Sequence, residues 1–194
     1  LLALQKAEKM KKQAFADRYP YGIFSCIRTM GHIYKSRGNF DLSAQYYQEA
    51  LDYMLKNMPD QDPSQLYSSL AEYYRNTQKD YATALDYCEK ALKSAKTERN
   101  IAQAMIEKCL VLFRQGRIDE FNDCYKEAVQ MADRCKLSAS VSLLIAHISK
   151  NILDKQYEQA HAHADQLSEK GLQQHAYIYE CAKDYPNAIK YLKK

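Results

Sequence analysis

Apolar residues recur at helical spacing on both sides of a short phrase that the chain repeats. The phrase is a turn followed by a large apolar residue, and it occurs as Gly38-Asn39-Phe40, Lys79-Asp80-Tyr81, Gly116-Arg117-Ile118, Lys155-Gln156-Tyr157 and Lys183-Asp184-Tyr185. Its apolar members follow one another at intervals of 41, 37, 39 and 28 residues. An interval of this size is typical of a protein built from repeated supersecondary units.

The residues around the first phrase show what one unit contains. Before the phrase, Ile27, Met30 and Tyr34 share one face of a helix, and after it Tyr47 and Leu51 do the same. The pattern therefore predicts two amphipathic helices joined in a hairpin. Because one hairpin leaves an apolar face uncovered, the next hairpin must cover it. We predict an all-α fold, a right-handed α-solenoid of antiparallel hairpins that forms a single domain over residues 1–194.

The same pattern places the helices along the chain. It predicts a lone helix at about 1–16 and hairpins at roughly 22–57, 63–96, 99–135, 138–169 and 171–194. The dipeptide Asp62-Pro63 marks a helix start, and Pro186 marks another. The chain begins at Leu1 instead of methionine and stops inside a helical pattern. We therefore expect about five helix pairs, truncated at both ends, from a longer protein.

Small residues occupy equivalent positions in successive units. In the first helices these are Gly31, Ala71, Cys109 and Ala176, and in the second helices they are Ser43, Ala84, Ala160 and Ala188. Small side chains let helix axes approach to the close end of about 8–10 Å, while neighbouring large side chains fill the grooves. We expect the helices to come closest at these positions.

These positions resemble the tetratricopeptide repeat. The family pattern consists of a large residue, then Leu-Gly, then Tyr, and later Ala. It is similar to Ile27-x-x-Met30-Gly31-x-x-Tyr34 followed by Ser43-x-x-x-Tyr47-x-x-Ala50. The resemblance covers nearly the whole chain, and departures fall at Lys108, Phe121, Asn151 and Leu167. The family's usual period is about 34 residues, so helices about one turn longer account for the intervals here. The long units resemble the repeat regions of bacterial sensor kinases and peptide-responsive regulators.

The resemblance implies a groove lined by the first helices of the units. Carried over by position, its side chains are Arg28, His32, Lys35, Gln65, Ser68, Glu72, Arg75, Ile106 and Phe113. The early part of this set is polar and basic and the last part is apolar. Such a groove suits a protein or peptide with an acidic end and a hydrophobic anchor.

The resemblance also implies a class of function. It favours a non-catalytic protein-binding scaffold, the sensing or assembly module of a larger bacterial signalling protein. Two alternatives stay open, a regulatory domain that binds a peptide pheromone and an accessory subunit of an enzyme complex. A homodimer also stays open.

Charge and hydropathy exclude two kinds of partner. The 28 basic and 24 acidic residues are interspersed and leave a formal charge of only +4, which is too mild to indicate nucleic acid. Apolar runs are short and broken by charge throughout, so we expect no membrane insertion.

The candidate catalytic residues form no recognisable motif. The six cysteines show no C-x-x-C spacing and are typical of small core residues in a reducing compartment. A cytoplasmic location follows, with the periplasm as the alternative if a signal peptide or membrane span flanks the chain. His161 and His163 lie two residues apart on a predicted helix, so they point to different faces and cannot share a metal ion. We predict no enzyme activity, no cofactor and no metal.

Overall fold

Helices make up the regular structure of the described part of the chain. A computed structural model describes residues 2–137, 140–167 and 171–193, and these ranges contain no strand. The helices are α1 (Leu2–Ala16), α2 (Pro20–Ser36), α3 (Phe40–Asn57), α4 (Ser64–Tyr73), α5 (Tyr81–Ser94), α6 (Glu98–Gln115), α7 (Ile118–Arg134), α8 (Val141–Leu153), α9 (Tyr157–Ala164), α10 (Gly171–Cys181) and α11 (Tyr185–Leu192). A π-helical turn at Tyr74–Gln78 continues α4. The predicted all-α class is confirmed.

The helices pair as the repeated phrase predicts. After the lone α1, the pairs α2–α3, α4–α5, α8–α9 and α10–α11 pack within each pair. Side chains of α6 and α7 also meet across their turn, where the ring centroids of Phe113 and Phe121 lie 5.7 Å apart. The predicted hairpin limits at residues 138, 169 and 194 fall outside the described residues.

The contacts divide the chain into two compact units, Leu1–Ala104 and Met105–Lys194. The core of the first unit is built from α1 to α4, with Phe24, Ile27 and Tyr47 among its most buried members. The second unit has a core around Ile148 and Ile178. The single domain expected from the sequence stays a prediction.

Each repeated phrase reverses the chain through a left-handed residue. The first residue of each phrase has a positive φ, which is 74° at Gly38, 54° at Lys79, 72° at Gly116, 58° at Lys155 and 63° at Lys183. A left-handed residue of this kind ends a helix by letting the next N–H groups bond back to its last carbonyls. The repeated phrase is therefore the hairpin turn itself.

In three of the five phrases, the side chain of the second residue caps the helix that begins at the third. The side chains of Asn39, Asp80 and Asp184 each accept a hydrogen bond from the backbone N–H three residues further on. This is the usual N-cap, which satisfies a donor that the helix leaves unpaired. End and start signals thus stand side by side, and the turn needs no longer loop.

The small residues lie in the interior of the protein. All eight that the sequence singles out are buried. Gly31 shows the reason most clearly, because a Cβ added there would lie 2.7 Å from the ring of Tyr47, which is itself only 2% exposed. The expected close approach is confirmed in this hairpin.

Two of the positions that depart from the family pattern hold buried apolar side chains, and a third holds a buried polar one. Phe121 stands at a small position, yet it is fully buried and its ring contacts those of Phe113 and Tyr125. Leu167 is also buried, at 4% exposure. Asn151 replaces an aromatic residue, and its buried Nδ2 has no hydrogen-bond partner among the described residues.

Asp62 joins two inter-helix connections of the first unit. Its carboxylate accepts hydrogen bonds from the backbone N–H of Ser64 at 2.9 Å, from that of Lys96 at 2.8 Å and from the side chain of Asn100 at 2.8 Å. Burial raises the pKa of Asp62, but these donors together lower it below its usual value. The ionised carboxylate therefore holds the start of α4 against the start of α6.

We expect Gly31→Ala to destabilise the protein relative to Gly22→Ala. Both changes add a Cβ within α2 and so share the gain in helix propensity, but the methyl at residue 31 would lie 2.7 Å from the buried ring of Tyr47. At residue 22 the closest atom, at 2.5 Å, belongs to the exposed side chain of Tyr19, which can move, and the Cβ of Ala14 lies 3.1 Å away. The difference in free energy of unfolding should be about 1–3 kcal/mol, measured by urea denaturation. Equal stability of the two variants would contradict the proposed helix contact.

We expect Asp62→Ala to lower the free energy of unfolding by about 1–3 kcal/mol, because it removes a cap and leaves donors unpaired. Asp60→Ala is the matched control, since only the backbone carbonyl of Asp60 bonds to Lys96. The control should change stability by less than about 0.5 kcal/mol. A loss of the same size in both variants would show that Asp62 has no special role.

Candidate functional site

The first helices of the first unit present a continuous polar face. We call it the α2–α4 face and define it by Arg28, His32 and Lys35 on α2 with Gln65, Ser68 and Glu72 on α4. Lys35 Nζ and Glu72 Oε2 lie 2.5 Å apart, so an ion pair links the two helices. Six of the nine predicted groove residues lie on α2 and α4, and their role in binding stays a prediction.

The face continues onto the start of α6. Gln65 Nε2 donates a hydrogen bond to Asn100 Oδ1 at 3.2 Å. Asn100 in turn is held by Asp62 through its own side-chain amide. Three helices of the first unit therefore contribute to one surface, and Asn100 is a member that the sequence did not predict.

His32 sits in the middle of this face and stays neutral near pH 7. Its Nδ1 lies 2.9 Å from the hydroxyl of Tyr47, and the two rings meet edge to face with centroids 5.3 Å apart. Burial lowers the pKa of His32, and the positive charges of Arg28 and Lys35 lower it further. The positive charge of the face therefore comes from Arg28 and Lys35.

Arg28 is the cation of this face whose bonding is incomplete. Its guanidinium carbon lies 5.3 Å from the centre of the Phe24 ring, and the side chain is half-buried. Its Nε is buried and has no hydrogen-bond partner among the described residues. A carboxylate is the acceptor that best matches a guanidinium, because it takes two parallel hydrogen bonds.

The remaining three predicted groove residues are placed differently. Arg75 lies in the π-helical turn, is only 7% exposed and donates to Asn76 Oδ1 at 2.7 Å. In the second unit, Ile106 is 1% exposed, and Phe113 is half-buried against Phe121. These side chains are used in packing, so the α2–α4 face does not include them.

The second unit contains two side-chain pairs that sequence reasoning did not predict. The Sγ atoms of Cys109 and Cys124 lie 3.0 Å apart, and the Nδ1 atoms of His161 and His175 lie 2.7 Å apart. His175 also contacts the carboxylate of Asp165 at 3.0 Å. In each pair the two residues lie on consecutive helices at similar distances from the connection between them, and this symmetry is the signal that could have found them.

The described residues offer no metal centre and no membrane span. His161 turns toward His175, whereas His163 stacks on His147 with centroids 4.9 Å apart, so the two point to different neighbours as expected. No group of three or more His, Cys, Asp or Glu side chains in the described ranges could hold a metal ion. Among the helices described, none is long and apolar enough to cross a bilayer.

Hairpins with left-handed turns and buried small residues define a helical-repeat protein. Residues 23–97 match the family model of the tetratricopeptide repeat. The crystal structure of BtubC (BKLC) from P. vanneervenii is similar over 98% of this chain and 87% of that chain, with a TM-score of 0.63 and 17% sequence identity. At this identity the likeness shows the helical-repeat fold alone. No curated protein matches the sequence.

The family match gives the general class of function. Tetratricopeptide repeats mediate protein–protein interactions, and proteins of the family are typically non-catalytic scaffolds. The expected protein-binding class is therefore supported at this level.

We expect acidification to destabilise the first unit in part through His32. A folded-state pKa below the usual 6.5 means that the unfolded chain takes up this proton first, so stability is lost as pH falls through 6.5. The loss of unfolding free energy between pH 7.5 and 5.5 should be smaller in His32→Gln than in the unchanged protein. Between pH 7.5 and 8.5, where histidine does not titrate, the two proteins should change alike. An identical loss below pH 6.5 would contradict this role of His32.

Proposed function

We propose that the α2–α4 face binds an acidic segment of a partner protein. The observation that carries this proposal is Arg28, a half-buried guanidinium whose bonding is incomplete and which lies on a polar face of a family that binds proteins. Arg28 Nε is out of reach of a partner, so a partner carboxylate would pair with the accessible part of this half-buried side chain. Charge-assisted contacts of this kind are among the strongest hydrogen bonds in proteins.

Lys35 would take part in the same interaction in competition with Glu72. The two side chains are paired across the helices, and both are partly accessible, with 36% and 27% of the side-chain surface exposed. A partly exposed pair of this kind contributes little stability, so an incoming carboxylate can share the lysine at small cost. Gln65 and Ser68 lie nearer the start of α4 than Glu72. They would supply neutral hydrogen bonds to the backbone of an extended segment.

The wider role that we propose is a sensing or assembly module within a larger bacterial signalling protein. It is supported by the resemblance of the long repeat units to the repeat regions of such proteins. In that setting, binding of an acidic segment would recruit the partner without any chemical step on this chain.

We expect selection of a random-peptide display library on this protein to enrich peptides rich in Asp and Glu. Binding of a synthesised enriched peptide, measured by isothermal titration calorimetry, should weaken by about tenfold or more in Arg28→Glu, because a charge-assisted hydrogen bond becomes a repulsion. Glu72→Gln should bind up to about fivefold more tightly, since it frees Lys35.

Lys56→Glu is the matched control, because it makes the same change of charge at an exposed position on α3. It should bind the peptide like the unchanged protein. Enrichment without acidic residues, or equal affinity of the Arg28→Glu and Lys56→Glu variants, would show that the α2–α4 face is not the binding surface.

A further inference from the structure

Cys109 and Cys124 lie opposite each other across the α6–α7 turn. They are 15 residues apart and flank the Gly116-Arg117 turn almost symmetrically, so antiparallel helices bring them to the same level. Their Sγ atoms lie 3.0 Å apart. A disulfide needs a distance of about 2.05 Å, so the two sulfurs require only a small further approach to bond.

The two thiols differ in access. Cys109 is fully buried and occupies one of the small positions where the helices come closest. Cys124 is partly accessible, and its Sγ also lies 3.5 Å from the backbone carbonyl of Met105. A small oxidant from solvent would therefore reach Cys124 first, with Cys109 directly behind it.

The surroundings of Cys124 favour its thiolate. The hydrogen bond donated by the Cys109 thiol lowers the pKa of Cys124, burial opposes this, and the positive charge of Lys108 lowers it further while Glu127 raises it. The net direction is downward. The thiolate is the form of cysteine that reacts with peroxides and disulfides.

Cys26 and Cys181 lack the lowered pKa of Cys124. Burial raises the pKa of Cys26 and of Cys181, which disfavours their thiolates. Cys135 is partly accessible and lies at the C-terminal end of α7. It serves below as a control with similar exposure.

We propose that Cys109 and Cys124 form a peroxide-sensitive pair that closes into a disulfide between α6 and α7. In the first step, the Cys124 thiolate attacks one oxygen of hydrogen peroxide, the O–O bond breaks, and Cys124 becomes a sulfenic acid as hydroxide leaves. In the second step, Cys109 sulfur attacks the sulfenic sulfur, the S–O bond breaks, and the Cys109 proton leaves with the oxygen as water. Two thiols are thereby oxidised and one peroxide is reduced to two waters.

The disulfide would tie the middle of α6 to the middle of α7. Cross-linking across a hairpin restricts the unfolded chain and so raises the temperature of unfolding. Reduction by a dithiol would reverse it. This inference concerns the second unit alone and does not depend on the binding proposed for the α2–α4 face.

The test is to treat the protein with hydrogen peroxide at low concentration and count its free thiols. Two of the six thiols should be lost, the mass should fall by about 2 Da without dimer formation, and peptide mapping without reductant should find Cys109 joined to Cys124. Dithiothreitol should restore all the thiols. Retention of all six thiols, or a bridge between other cysteines, would overturn the proposal.

Variants distinguish the role of Cys124, which reacts with the peroxide, from that of Cys109, which closes the disulfide. Cys124→Ser should lose no thiol pair, and Cys109→Ser, which keeps a hydroxyl donor beside Cys124, should leave a sulfenic acid on Cys124 that dimedone traps. Cys135→Ser should behave like the unchanged protein. Circular dichroism verifies that each variant is folded, and the mapping of the unchanged protein decides the proposal even if a variant does not fold. Equal thiol loss in Cys124→Ser and Cys135→Ser would contradict it.

Discussion

The contact between a small residue on one helix and a large side chain on the next is the interaction on which the hairpins depend. At Gly31 the ring of Tyr47 occupies the place where a Cβ would otherwise stand. Interiors are packed so tightly that even one methyl group is felt at such a point. The equivalent positions Ala71 and Ala84 are also fully buried, so the second hairpin places small residues in its core in the same way.

The hairpin turns connect these packed helices into repeated units along the chain. A left-handed residue ends one helix, and in three of the five phrases the side chain of the next residue caps the following helix, so two positions are enough to reverse direction. In three of the five repeated phrases the left-handed residue is a lysine, which lacks glycine's freedom in this region. The packing of the flanking helices therefore has to hold these turns in place.

Side chains that neither pack nor cap are left to form surface. In the first unit these are the polar residues of α2 and α4, joined by the Lys35–Glu72 ion pair. The Cys109–Cys124 pair has a different origin. Cys109 occupies a small position, and the close approach that such a position allows is what brings the sulfur of α7 to it.

The helices, their turns and the small positions between them could be predicted from the sequence. These follow from periodicity, capping and side-chain size, which act over a few residues and can be read along the chain. The sequence also places a polar set of residues on α2 and α4, and the ion pair between Lys35 and Glu72 links these two helices.

Which of the predicted surface residues are covered depends on how the helices pack against one another. Arg75 and Ile106 stand at positions that could face solvent, yet both are buried, because exposure depends on the neighbour packed against a helix and not on the helix itself. The pairing of Cys109 with Cys124 was decided in the same way, since the register of two antiparallel helices is set by how their side chains interlock.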